Sequence, residues 1–248
     1  MSKKNSNSIH LLALALKHKG QWEEIYKDIC RKVDVPEEEL ELARNYQGKY
    51  ITILDSDYPE SLKKTFKPPF VIFYEGKIDL LNKRNIVAVT TSRKSSKDTI
   101  SFMENMLNNS DNELVYITDT RTPNTINFDL DEHRIIVVVG SGIDQAQIGF
   151  IPDLVISEYP NDYECQDCMT SVMSAKRIIA SLCHKLVIGE IPNQSGNLML
   201  VSQVLEEGKP ILVLPMNTWE SQTRKLANNK IIYEGATPFL YVEDLSNS

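Results

Sequence analysis

The chain has little cysteine, little histidine and no long apolar run. Its four cysteines, Cys30, Cys165, Cys168 and Cys183, are irregularly spaced along 248 residues. That excludes a disulfide framework and points to reduced thiols. No apolar stretch approaches the ~20 residues that cross a bilayer, so no membrane association is expected. The basic N-terminus precedes a short apolar segment, 9–16, that contains His10 and is followed by Lys17 and Lys19 with no small-residue cleavage site. A secretory leader is therefore not expected, and the chain is read as cytoplasmic. The histidines, His10, His18, His133 and His184, stand apart from one another. No nucleophile–base pair accompanies them, so the reading is of a protein that is not an enzyme and has no catalytic residue.

An overall excess of positive charge is also lacking: the net charge is −7. Taken alone, that disfavours a nucleic-acid partner. The distribution says more. Residues 1–48 balance, 49–110 carry +3, 111–165 carry −9 and 166–248 carry −1. The acid is local, and one basic segment leaves room for a small anion-binding patch.

What is present is an alternation of strands and helices. Residues 86–97, IVAVTTSRKSSK, read as a buried strand (86–89), a tight polar turn and the entry to a helix carrying Ile100, Phe102, Met103, Met106 and Leu107. The helix start offers backbone N–H groups and a partial positive charge. Ser92 adds a hydroxyl, and Arg93, Lys94 and Lys97 add cations, a combination suited to phosphate. A plainer reading has Ser95 or Ser96 capping the helix and the cations solvated. Downstream, 134–139 (RIIVVV) is an apolar run of the kind buried on both faces of a parallel sheet. It ends at Gly140-Ser141-Gly142, where the backbone can turn tightly. Further strands are expected at 50–54, 70–74, 154–157, 186–191 and 210–214. Helices are expected at 174–181, with Lys176 and Arg177 near its start, and at 198–206. The loop Ser195-Gly196-Asn197 opens the second of these. This pattern predicts an α/β fold, Rossmann-like and doubly wound, with a mostly parallel sheet. Ligands of such sheets bind outside the carboxyl ends of the strands.

Residues 1–48 are expected to form a small helical (SAM-like) segment, with 49–248 as the Rossmann-like domain. Asp34 is the expected N-cap of the helix that follows Pro36. Cys165 and Cys168 could supply half of a zinc site and Cys183 with His184 the other half. Adjacent helical residues point about 100° apart, however, so no metal and no cofactor are expected.

The motifs in series resemble the DprA/Smf family. Residues 51–62 (ITILDSDYPESL) and 68–82 (PPFVIFYEGKIDLLN), then the strand ending in Ser92-Arg93-Lys94, resemble the family's opening. Residues 139–144 (VGSGID), 156–160 (ISEYP), 176–180 (KRIIA), 194–198 (QSGNL), 208–215 (GKPILVLP) and 234–236 (EGA) follow in the family's order. The resemblance implies a protein that binds single-stranded DNA, protects it on entry and hands it to the RecA recombinase in natural transformation, working as a homodimer. It places Ser92, Arg93, Lys94, Lys176, Arg177, Ser195, Gly196 and Asn197 on the nucleic acid. Ile231, Ile232, Phe239 and Leu240 are apolar candidates for the dimer surface. The chain departs from the family at Thr91, where a glycine is the rule. It also departs after 114–118, where the family's second glycine-rich loop and most of the following helix are missing. No winged-helix domain of the kind some members carry is expected. These features describe a divergent, reduced member. Two other classes fit a Rossmann-like chain of this kind: a sensor of a nucleotide or nucleotide-derived ligand, and an interaction scaffold with a decayed pocket.

Overall fold

A computed structural model describes residues 6–120, 122, 125–164 and 168–246. Elements are numbered in chain order. They fall into two compact units, one of Met1–Asn82, Val139–Ala146 and Leu154–Ala175, the other of Lys83–Val138, Gln147–Asp153 and Lys176–Ser248.

In the first unit, helices α1 (Ser6–Lys17), α2 (Trp22–Arg31) and α3 (Glu37–Arg44) accompany strands β1 (Lys49–Thr52), β2 (Val71–Gly76) and β6 (Leu154–Ser157). β2 pairs antiparallel with both β1 and β6. α1 buries Leu12, Ala13, Leu14 and Ala15. Buried Ser8 donates to Asp55, which also accepts the Thr52 amide at 2.7 Å, so a polar tie holds α1 to the end of β1. The N-cap position of α3 is Pro36, not Asp34, and no side chain caps it. Glu37, Glu38 and Glu39 fill the first turn instead, where the helix dipole favours acid. The Tyr-Pro and Pro-Pro motifs meet. Tyr58, in the turn before α4 (Glu60–Lys64), is buried and donates its hydroxyl to the Pro69 carbonyl at 2.7 Å. Ser157, Glu158 and Tyr159 are buried in the same unit, with Ser157 donating to the Ser141 carbonyl at 2.6 Å.

The second unit carries the parallel sheet. Its strands are β3 (Ile86–Thr90), β4 (Val115–Asp119), β5 (Arg134–Val139), β7 (Lys185–Ile188), β8 (Ile211–Val213) and β9 (Thr237–Pro238), in the order β5-β4-β3-β7-β8-β9. The pairs β3–β4, β4–β5, β3–β7, β7–β8 and β8–β9 are all parallel. Helices α5 (Lys97–Asn108), α6 (Cys168–Leu182, entering this unit at Lys176), α7 (Leu198–Glu206), α8 (Thr218–Thr223) and α9 (Asn228–Tyr233) complete it. Every residue of β3 is buried. Its apolar side chains, with Met103 and Leu107 of α5, Val187, Leu212 and Phe239, form a core. Each such buried Val, Leu or Ile contributes roughly 1.5–3 kcal/mol. The α/β, mostly parallel fold expected from the sequence is the one observed.

Several expected boundaries shift. The 134–139, 154–157 and 198–206 elements fall where the pattern puts them. β7 stops at Ile188 rather than 191 because the Ile191 amide is taken by the Asn228 side chain at 3.0 Å instead of a strand partner. α6 begins six residues before 174, so Lys176 and Arg177 sit in the middle of the helix, not near its start. Among the described residues no helix joins β4 to β5, in keeping with the missing loop and helix. Arg121, Pro123 and Asn124 of that connection lie outside the described residues. Ile231 and Phe239 are buried, and Phe239 belongs to the core, so neither can serve as dimer surface. Tyr233, Leu240 and Tyr241 are the exposed apolar side chains there. No described helix is long and apolar enough to cross a membrane.

Candidate nucleic-acid interface

Strand order in the second unit reverses between β3 and β7. From β3 the chain proceeds outward through β4 to β5, and β7 then returns to the other side of β3. The two strands run parallel in register from Val87↔Lys185 to Thr90↔Ile188. Their following loops, 91–96 and 189–197, therefore leave the same edge side by side. In an open α/β sheet this is the crevice that receives ligands.

The two loops are laced together. The Ser92 amide donates to the Glu190 carbonyl at 2.8 Å, and the Gly189 amide donates to the Thr90 carbonyl at 3.0 Å. Thr91 is buried, its hydroxyl 2.7 Å from the Ser95 hydroxyl and accepting the Glu190 amide at 3.0 Å. The Thr91 side chain is thus turned into the loop pair. Space for it is made across the way: a Cβ on Gly189 would lie 2.5 Å from Thr91 Oγ1.

Of the eight residues expected at the site, Arg93, Lys94 and Gly196 are exposed, Ser92, Arg177 and Ser195 are half-buried, and Lys176 and Asn197 are buried. Neither Arg93, Lys94 nor the neighbouring Lys97 makes an ion pair among the described residues. Lys176 is 1% exposed and donates to Asn197 Oδ1 at 2.5 Å. Asn197 in turn donates to the Thr91 carbonyl at 3.4 Å and, through its own amide, to Ser195 at 3.1 Å. Lys176 thereby lies beneath the two loops and holds them through Asn197. Arg177, about 100° further round α6, points elsewhere. At Gly196 an added Cβ would meet nothing within 4 Å, so the loop opens outward there.

The α5 N-terminus is not vacant, contrary to the expectation of free N–H groups at that helix start. Ser96 is its N-cap and accepts the Thr99 amide at 3.2 Å. Glu190, 1% exposed, reaches in from the β7 loop. Its Oε1 accepts the Ser96 amide at 2.9 Å, the Ser96 hydroxyl at 2.7 Å, the Thr99 hydroxyl at 2.8 Å and Arg224 Nη1 at 2.6 Å. Arg224 Nη2 lies 2.5 Å from Oε2 and also donates to the Lys94 carbonyl at 2.7 Å. Sequence reading missed both residues. The available signal was an acid directly after an apolar strand on the edge that faces a helix start.

Burial alone would push the Glu190 carboxyl up, but the bonds from Arg224, Ser96 and Thr99 outweigh it and hold the group below its ordinary value of 4.5. A folded-state value below the unfolded one contributes stability above the unfolded value and loses it as pH falls through the folded one. Thermal unfolding followed between pH 7 and pH 3 should therefore show a decline in Tm below about pH 4.5. Glu190→Gln should be less stable at pH 7 and flatter across that range. Parallel profiles for the two proteins would refute this role.

The cysteine–histidine pair has other employment. Burial pushes the Cys183 thiol up to about 12, and His184 Nδ1 accepts the Ile86 amide at 3.3 Å. Cys165 and the side chain of Cys168 lie outside the described residues.

Known proteins resemble this chain in sequence and in fold. A family model described as DNA recombination-mediator protein A matches residues 49–118 and 131–248. The unmatched stretch between them falls in the β4–β5 connection. The DNA processing protein DprA of Streptococcus pneumoniae (strain ATCC BAA-255 / R6) is 31% identical over 183 residues. The match takes in 66% of this chain and 62% of that protein, so the chain spans less than two thirds of this relative's length. The X-ray structure of DprA from Streptococcus pneumoniae superposes with a TM-score of 0.71 at 24% identity, over 97% of this chain and 92% of that one. DprA from Helicobacter pylori, for which a unique single-stranded DNA binding mode has been described, gives a TM-score of 0.63 at 17% identity, over 80% and 94%. With the family model covering well over half of its length, the chain belongs to the DNA recombination-mediator protein A family.

Proposed function

We propose that this protein binds single-stranded DNA along the β3/β7 edge, protects incoming strands, and delivers them to the RecA recombinase in natural transformation. It does so in the cytoplasm, as a homodimer. The observation that carries this reading is the turn after β3. It places Arg93, Lys94 and Lys97 at the switch point of the sheet without carboxylate partners among the described residues, on a chain that is otherwise acidic. Arg93 and Lys94 hold phosphates directly, and Arg177, turned away from the loop pair, is not part of this contact. Ser92 and Ser195 offer hydroxyls and Gly196 an exposed backbone beside them, and Lys176 acts by fixing Asn197. Side-chain cations that track the backbone bind a strand without base-specific readout.

Binding of this kind releases counterions, with a slope of about −0.7 per neutralised phosphate on a single strand. Arg93→Ala should weaken binding of labelled oligo(dT) about fivefold or more at low salt and lower the slope of log K against log salt by about 0.7. Fluorescence anisotropy across 50–300 mM salt (roughly the range over which such contacts are lost) measures both. Unchanged affinity and slope in the variant would remove Arg93 from the interface. Stimulation of RecA filament assembly on the same oligonucleotide tests delivery separately.

A further inference from the structure

The α5 N-terminus holds an anion that belongs to the protein. Four donors converge on one oxygen of Glu190: the amide and hydroxyl of the N-cap Ser96, the Thr99 hydroxyl and a guanidinium. These are the groups with which an α/β fold ordinarily grips a phosphate. The carboxylate is 1% exposed, so the position is filled and sealed. Thr91 locks the seal, because its hydroxyl accepts the Glu190 amide and fills the space left by Gly189. Arg224 is tied down in the same act: one terminal nitrogen donates to Glu190 and the other to the Lys94 carbonyl.

We propose that Glu190 is a specificity-determining residue, a resident anion that closes the α5 N-terminus to free phosphates. The face is left to a polyanionic strand held by exposed side chains. A free phosphate, met singly, is best held by several converging donors, and the set at this helix start is occupied by Glu190. A DNA strand offers a row of phosphates, and Arg93, Lys94 and Lys97 can meet several of them at once. Glu190 therefore disfavours the nucleotide-sensor class at this edge. The strand half of this inference rests on the DNA-binding reading above; the phosphate half stands apart from it.

Two measurements test it. In the first, thermal unfolding of the wild-type protein is followed in inorganic phosphate and in chloride at matched ionic strength. The wild type should show no phosphate-specific rise, whereas Glu190→Ala, which empties the cradle, should be destabilised in chloride and regain about 2 °C or more in ~20 mM phosphate. In the second, oligo(dT) binding by Glu190→Gln is measured across salt. Freeing Arg224 should steepen the slope by about 0.7, and adding Arg224→Gln should restore the wild-type slope. A phosphate-specific rise in the wild type overturns the proposal, even where Glu190→Ala fails to fold. So does a folded Glu190→Ala that gains nothing from phosphate, or a Glu190→Gln slope equal to that of the wild type. Failure of the wild type to bind oligo(dT) at all would instead sink the DNA-binding reading, and the phosphate arm would still judge Glu190.

Discussion

Asn228→Ala should lower the stability of the second unit by about 3–5 kcal/mol, the largest effect of any single polar truncation considered for this fold. Asn228 is 0% exposed at the start of α9. Its Oδ1 accepts the Ile191 amide at 3.0 Å, and its Nδ2 donates to the carbonyls of Gly189 and Leu214, the latter at 2.8 Å. One side chain therefore satisfies three backbone groups where β7 and β8 come to an end. Alanine would leave all three buried without partners, each at a cost of about 1–3 kcal/mol before relaxation or entry of water. Urea denaturation of the variant should show a lower midpoint. Aspartate should be hardly better, since it keeps the acceptor but turns both donations into repulsions between oxygens. A loss under about 1 kcal/mol for Asn228→Ala would mean that water takes over these bonds.

The second large effect is expected at Gly189. Adding a methyl there brings Cβ to 2.5 Å from Thr91 Oγ1 and 3.0 Å from Thr91 Cβ. Thr91 is buried and β-branched, so it cannot swing aside cheaply. Gly189→Ala should cost about 2–3 kcal/mol, in the range of overpacked cores. The informative comparison is the double variant with Thr91→Gly. If the clash is the cause, the pair should lose less stability than the sum of the two single losses, because either glycine relieves the other's crowding. Simple additivity in a double-mutant cycle would show that Gly189 matters for its backbone alone. The same experiment shows whether a glycine at 189 is what lets Thr91 and the loop pair keep their close approach.

How much of this was legible beforehand follows physical lines. Apolar β-branched runs with sharp polar ends, such as 134–139 and 154–157, were placed to the residue, because burial on both faces leaves no ambiguity of period. The start of α6 was not, because Met169, Thr170, Ser171 and Met173 show no apolar stripe until Ile178 and Ile179 join it. That error carried Lys176 with it. A lysine at a helix start would face solvent, whereas a lysine in mid-helix can be turned under a loop. The exposed cations of the site, Arg93 and Lys94, were legible because a turn residue's exposure depends on its neighbours in sequence. Glu190, Arg224 and Asn228 were not, because each acts on backbone or side chains at least 13 residues away. A polar residue bonded over that distance looks, in sequence, like any solvated one. The Tyr58 and Pro69 motifs were recognised as a pattern, but their purpose, one hydroxyl closing one carbonyl, emerged only from the fold.

The far rim of the parallel sheet has a further implication. β9 is two residues long, and the second is Pro238, which has no N–H to offer a new neighbour. The following amide, that of Phe239, is already spent on Val213 at 2.8 Å. The sheet is thereby stopped at this rim: a further strand would find almost no ladder to climb. Two copies meeting here cannot fuse their sheets into one. Their contact must be made by side chains, and Tyr233, Leu240 and Tyr241 stand exposed around the rim to make it. Such a joint would come apart without unpicking either sheet.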